Sequence, residues 1–253
     1  MSQGRMRLVT RGDDSGSCHT ANVAIRDAFE KGILRNTSLM VPCPAFEDAA
    51  AMFRDMPGLC AGLHATLTAE WDEVRWGPVL PPEDVPSLVD ADGYLFQTTR
   101  ALHENGADPG EMMAEIEAQL ALARSEGLAI RYVDSHMIFT WIADMDARLA
   151  RFAEREGLIY RPKGVSRLPA GEGEFDSPVD ELVARLSAAP PGTYILVGHP
   201  CYDTEEVRRF CHAGVDPGSE GPKRDWQRRM FMDPKVLECC EANGIEPIRY
   251  TEI

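Results

Sequence analysis

Three observations predict an α/β fold on a parallel sheet. Short β-branched runs alternate with helix-length amphipathic segments throughout, no linker or shift in composition divides the sequence, and its 253 residues match the span of one α/β barrel. A single domain over 1–253 is expected, with 44% hydrophobic residues to fill its core. No apolar run approaches the roughly 20 residues that would cross a bilayer, so no membrane partner is expected. The 26 Lys and Arg against 41 Asp and Glu give a formal charge of −15, which argues against a surface that tracks nucleic-acid phosphates.

The first strand is Arg7-Leu8-Val9-Thr10, ending at an acidic loop, Gly12-Asp13-Asp14-Ser15-Gly16, before a helix over Ala21 to Lys31. Ser38 to Val41 repeats the strand signal, Phe46 to Met56 the helix, and Ala61 to Thr68 is a third strand. Residues 71–107, rich in Pro, Asp, Gly and Trp, are too long for a plain connection and read as a functional loop or lid, with Trp71 and Trp76 as its packing. Asp108-Pro109 opens a helix in the cap-then-proline manner, and Met112, Met113, Ile116, Leu120 and Ala123 keep its apolar face until Gly127. Ile130 to Val133 is a strand ending at Asp134-Ser135-His136. There follow a helix over about Asp146 to Glu156, a strand at 158–160, a helix over about Pro178 to Ala188, and a strand at Tyr194 to Val197 that runs into Gly198-His199-Pro200.

Polar groups cluster where these strands end: Asp13-Asp14 after the first, His64 on the third, His136 after the fourth and His199 after a late one. Sites in parallel α/β folds assemble outside the carboxyl ends of strands, so residues far apart in sequence converge there. One carboxylate and two imidazoles form a three-ligand set that leaves positions open on a divalent metal for water and substrate. A second carboxylate beside the metal can take a proton from water, and adjacent Asp residues can divide the two tasks. His199 could protonate a leaving atom. Taken singly, an Asp-Asp pair after a strand is also a common turn or helix cap, and a lone histidine a satisfied structural residue. His19, His103 and His212 read as surface histidines, and Arg228-Arg229 as a solvated helix face.

Arg11-Gly12-Asp13-Asp14-Ser15-Gly16 resembles the Asn-Ala-Asp-Asp-Phe-Gly opening of the YdjC-like (ChbG-type) carbohydrate deacetylases, in the polysaccharide-deacetylase-like superfamily. Further segments are similar in the same order: residues 37–46, Gly62-Leu63-His64-Ala65-Thr66-Leu67-Thr68, residues 79–90, Tyr132-Val133-Asp134-Ser135-His136, Gly198-His199-Pro200 and the closing residues 243–250. The resemblance implies a single-domain, distorted (β/α) barrel of the polysaccharide-deacetylase type that removes N-acetyl groups from amino sugars. Carried over motif by motif, it implies Asp13 as general base, Asp14, His64 and His136 as metal ligands, and His199 as the residue supporting the leaving group. The family commonly continues Asp-Ser-His with further histidines, where this chain has Met137-Ile138-Phe139-Thr140. Ser15 and Arg11 also depart from the pattern beside the site.

The expected activity is therefore a metal-dependent hydrolase acting on a small N-acetylated sugar or short oligosaccharide. The alternatives are an amidohydrolase of another N-acyl substrate, or a non-catalytic metal- or carbohydrate-binding relative, against which the spare carboxylate of Asp13 argues. A magnesium-binding signalling receiver fails, being about half this length and needing an acceptor Asp where this chain has His64. Two imidazoles favour zinc, cobalt or manganese by ligand softness, while the resemblance allows magnesium, so one divalent ion, Mg2+ or Zn2+, is the expected cofactor. Met1 to Arg11 runs into Gly-Asp-Asp without an apolar export core, and the seven cysteines form no C-x-x-C motif. A reduced, cytoplasmic protein is expected, with self-association into a homo-oligomer left open.

Overall fold

A computed structural model describes residues 5–171 and 174–253. In chain order the elements are β1 (Arg7–Ser15), α1 (His19–Lys31), β2 (Asn36–Leu39), α2 (Phe46–Phe53), β3 (Cys60–Ala65), α3 (Thr99–Glu104), α4 (Pro109–Ser125) and β4 (Tyr132–Ser135). There follow α5 (Met145–Glu156), β5 (Val165–Arg167), α6 (Pro178–Ala188), β6 (Thr193–Gly198), α7 (Glu205–Arg208), α8 (Glu220–Met232), α9 (Pro234–Ala242) and β7 (Glu246–Ile248). Every strand pairing is parallel, in the order β4-β3-β2-β1-β6-β5 with β7 also on β1. The α/β fold is thus a parallel half-barrel sheet with helices packed against it.

β1 is the axis of the sheet because it is apolar enough to be covered on both faces: Leu8 and Val9 are wholly buried. Its register with β6 runs from Arg7↔Thr193 to Gly12↔Gly198, while its other edge is shared, β7 meeting Arg7 to Val9 and β2 meeting Arg11 onward. Buried Asn36 fills the fork between these two partners. Its amide donates to the carbonyls of Thr10 and Ile248, and its oxygen accepts from the Tyr250 N–H. A buried amide with every contact satisfied pins the C-terminal strand to the sheet centre. At the far side Ile159 makes a single parallel bridge to Tyr132, and six residues later Val165 pairs with Thr193. The stretch 159–167 therefore touches both outer edges of the sheet and draws it round into a distorted barrel.

α6 has the bounds its sequence predicts, and α4 is capped as expected, with Asp108 accepting from the N–H groups of Gly110 and Glu111. α4 also steadies the exit of β3: the Gln119 amide accepts from the Thr66 N–H and donates to the Thr66 carbonyl. Two expectations are corrected. β1 does not stop before an acidic loop but carries Asp13 and Asp14 within it, since its neighbours keep pairing as far as Ser15. Residues 158–160 make one bridge instead of a strand, and the short, half-exposed β5 takes the edge that hydrophobic patterning would not reveal. Residues 71–107 contain α3, capped by Thr98, and bury Trp76, Val85, Leu88, Leu95 and Leu102.

Candidate active site

The acidic pair owes its geometry to an irregularity. In a regular strand successive side chains face opposite ways. The β1–β2 register slips between Gly12 and Ser15, and Asp14 sits in the left-handed region at φ +65°, a conformation that Asp tolerates better than most residues. Both carboxylates consequently line one cavity of about 830 Å³. Gly12 keeps the strand close-packed just before them, since a Cβ there would crowd Pro200 at 3.2 Å and Ile25 and Leu34 at 3.3 Å.

His64 and Asp134 are register partners on β3 and β4, so they share a face, and Nδ1 of His64 lies 2.6 Å from Oδ1 of Asp134. His136 leaves the end of β4, and its Nε2 lies 2.9 Å from Oε2 of buried Glu70. With these nitrogens donating to carboxylates, Nε2 of His64 and Nδ1 of His136 are left as the atoms whose lone pairs a cation can take when their protons leave. They stand 3.5 and 3.6 Å from Oδ1 of Asp14. That oxygen is buried without a hydrogen-bond partner, whereas Oδ2 of Asp14 accepts from Nη1 of Arg224 at 2.8 Å. An orphaned carboxylate oxygen facing two imidazole nitrogens fits a divalent cation, since bonds of about 2.0–2.1 Å at tetrahedral angles place ligand atoms roughly 3.3 Å apart. A second cluster, Asp13 with His64 and Asp134, falls within the same reach but has no such orphan. Arg11 stands among its oxygens, with Nε and Nη2 at 2.6 and 2.8 Å from Asp13 and Nη1 at 2.6 Å from Asp134.

Charge is dense here and mutually compensated. Burial opposes ionisation throughout, but His199 and Arg224 overcome it to hold the Asp14 carboxyl well below the usual carboxylate range. Arg11 and His64 likewise overcome burial at Asp134 and bring it down to about 2. For the imidazoles burial again opposes the charge; Asp134 outweighs it at His64, which rises to about 10, and Glu70 at His136, which rises to about 9. Without a cation, the carboxylates of Asp134 and Glu70 keep both rings protonated. A dication would take the place of those two protons.

All five residues singled out from sequence, Asp13, Asp14, His64, His136 and His199, line this one cavity. His199 closes the set from the end of β6, held by Oε1 of Gln227, which lies 2.6 Å from its backbone nitrogen and 3.0 Å from its Nδ1. Met137 and Ile138 also line the cavity. They are 40% and 63% exposed and held at φ +50° and +46°, strained for an L-residue and most of all for a β-branched one.

Sequence reasoning missed Glu70, Arg224, Gln227 and His212, and gave Asp134 no role. His212, expected on the surface, lines the cavity and stacks on Trp71 at 5.5 Å, with Phe210 on Trp71 as well. His19 and His103 are exposed as expected. Arg228, expected on a solvated face, is half-buried between Asp225 and the Tyr202 ring. Asp134 could have been found from its place two residues before His136; the others carry no local signal.

A family model described as YdjC-like protein matches residues 7–181. Among curated proteins, a carbohydrate deacetylase of Geobacillus stearothermophilus is 33% identical over 96% of this chain and 96% of its own. Another, from Thermoanaerobacter pseudethanolicus, is 27% identical over 96% and 98%. A third, from Halalkalibacterium halodurans, is 31% identical over 81% and 89%. Among solved structures, a protein of Enterococcus faecalis V583 provisionally described as acting in cellobiose-phosphate cleavage superposes with a TM-score of 0.79, at 20% identity and 98% coverage of both chains, and so shares the fold.

Proposed function

The chain belongs to the YdjC-like family, and from that premise we propose that it is a metal-dependent hydrolase that removes N-acetyl groups from amino sugars or short oligosaccharides. The observation that carries the metal dependence is the buried, unpartnered Oδ1 of Asp14, faced by Nε2 of His64 and Nδ1 of His136. Those three atoms would hold one divalent ion, zinc or magnesium, which when bound polarises an amide carbonyl and acidifies water.

The remaining chemistry falls to the chain itself. Asp13 receives a proton from the attacking water, whose oxygen bonds to the acyl carbon. Arg11 clamps both oxygens of Asp13 and keeps the carboxylate facing the cavity. As the C–N bond breaks, His199 gives a proton to the departing nitrogen, because an amine leaves poorly without one. Acetate and the free amino sugar are the products. The whole chain acts as one domain in this reading, with 71–107 contributing Trp71 to the cavity wall. Met137 and Ile138, apolar and exposed at the rim, favour as a second reading an N-acyl substrate other than a chitin-type sugar.

The test is acetate release from a panel of N-acetylated mono- and oligosaccharides by protein stripped of metal and then reloaded with each divalent ion. Release that depends on the ion and vanishes in Asp14→Ala is expected. Equal release with and without chelator would overturn the metal dependence.

A further inference from the structure

Four histidines line the cavity; His212 stacks on Trp71, and the partners of the other three differ in kind. His64 and His136 are each backed by a carboxylate, which suits a metal ligand. His199 is backed by a neutral amide. That amide belongs to α8, on which Glu220, Arg224 and Gln227 stand at i, i+4 and i+7 and so form one stripe. Arg224 reaches Asp14 from this stripe and Gln227 reaches His199. The helix lies beyond the residues that the family model matches.

The orientation of the amide is decided by chemistry. One side-chain atom of Gln227 lies 2.6 Å from the backbone nitrogen of His199, which can only donate, so that atom is the oxygen. An amide oxygen can only accept, so the His199 ring nitrogen 3.0 Å away, Nδ1, carries the hydrogen. In the neutral ring Nε2 is then the lone-pair atom. The same oxygen grips backbone and ring, which fixes the direction of the imidazole as well as its tautomer. Gly198 leaves little room there, since a Cβ would lie 3.1 Å from Phe231 and 3.4 Å from the Gln227 oxygen.

We propose that Gln227 is a positioning residue that locks His199 in its Nδ1–H tautomer, so that Nε2 alone exchanges protons with the cavity. The functional half of this inference rests on the reading of His199 as the proton donor to the leaving amine. A neutral partner serves that role: it orients the ring yet lends no negative charge to retain the proton that must be delivered. A carboxylate in its place would hold the imidazolium.

Long-range 1H–15N correlation spectra of the full chain, 15N-labelled at histidine and loaded with zinc, test it, with His199 assigned from the signal lost in His199→Gln. Wild type should show the Nδ1–H pattern, Gln227→Glu should shift the ring toward the doubly protonated imidazolium, and Gln227→Met, similar in volume but with only a weak thioether acceptor, should lose the pattern. In acetate release Gln227→Met should lower kcat by about tenfold or more, within the range for misplaced proton transfer, with KM and zinc content held, and Gln227→Glu, whose charge retains the proton, should not recover it. An Nε2–H pattern in wild type overturns the proposal, and that spectrum decides it even if Gln227→Met fails to fold. Unchanged tautomer and kcat in Gln227→Met overturn it too. A His199→Gln variant that retains full kcat sinks the proton-donor reading and the catalytic half with it, while the tautomer stands or falls on the spectra.

Discussion

Because each imidazole must give up a proton before its lone pair can meet a cation, metal affinity at this site should climb steeply with pH. His64 and His136, raised to about 10 and about 9 by the carboxylates that outweigh their burial, are both protonated in metal-free protein near neutrality. The atoms facing Asp14 are Nε2 of His64 and Nδ1 of His136, so both protons leave when one ion enters. The apparent association constant should then rise about 100-fold per pH unit. Between roughly pH 6.5 and 8.5 this amounts to about four decades, or about 5.4 kcal/mol at ~1.36 kcal/mol per decade. Calorimetric titration with cobalt or zinc, repeated in buffers of different ionisation enthalpy, counts the released protons directly. Fewer than one proton per ion would refute the reasoning, for it would mean that Asp134 and Glu70 do not hold both rings charged.

Asp13→Asn should keep the metal but lose about 10²–10⁴-fold in acetate release, the loss typical of removing a general base; metal analysis showing it as depleted as Asp14→Ala would exchange the roles of the pair. Glu70→Gln should weaken metal binding by about 10–100-fold, the usual cost of disturbing a ligand's carboxylate partner, and unchanged affinity by calorimetry would remove Glu70 from the site. In stripped protein the two imidazoles contribute stability that is complete below about pH 6.5 and lost as pH rises through about 9 and then about 10, because their folded values lie above the unfolded one. The urea midpoint of stripped protein should fall over that window; a midpoint that rises instead would contradict the sign. Asp108→Ala should cost about 1 kcal/mol in urea unfolding through the lost cap of α4, with metal content untouched.

Much of the site was legible because its donors sit where a local pattern ends. Asp13-Asp14, His136 and His199 each follow a β-branched run, His64 stands on the third strand candidate, and strand ends converge in a parallel sheet whatever the intervening sequence. The helices with caps and breakers, α4 and α6, were equally readable. What stayed hidden depends on tertiary register. Glu70 lies in the exit from β3, which no periodicity marks, and Arg224 and Gln227 acquire meaning only because α8 packs beside α1 and β6, within reach of Asp14 and His199. The continuation of β1 through the acidic pair was hidden for the opposite reason: Gly-Asp-Asp-Ser-Gly has the composition of a turn, and only pairing with β2 keeps it in the sheet. β5 and β7 have three residues each, too few for alternation to register.

The stretch that meets both edges of the sheet divides the barrel into parts held to different tolerances. Asp14, His64 and Asp134 hang from β1, β3 and β4, whose neighbours bury them, and their spacing is as fixed as the core itself. The opposite wall is a collar of a few residues, anchored by one bridge at Ile159 and a half-exposed three-residue strand that presents Arg167 to the cavity. Bond making demands sub-ångström placement, whereas sugars differ by whole hydroxyls and rings. Lengthening or shortening the collar changes the girth of the mouth without moving the donor triangle, so a chain of this architecture can be refitted to a new substrate by editing the part of the barrel that contributes least to holding it together.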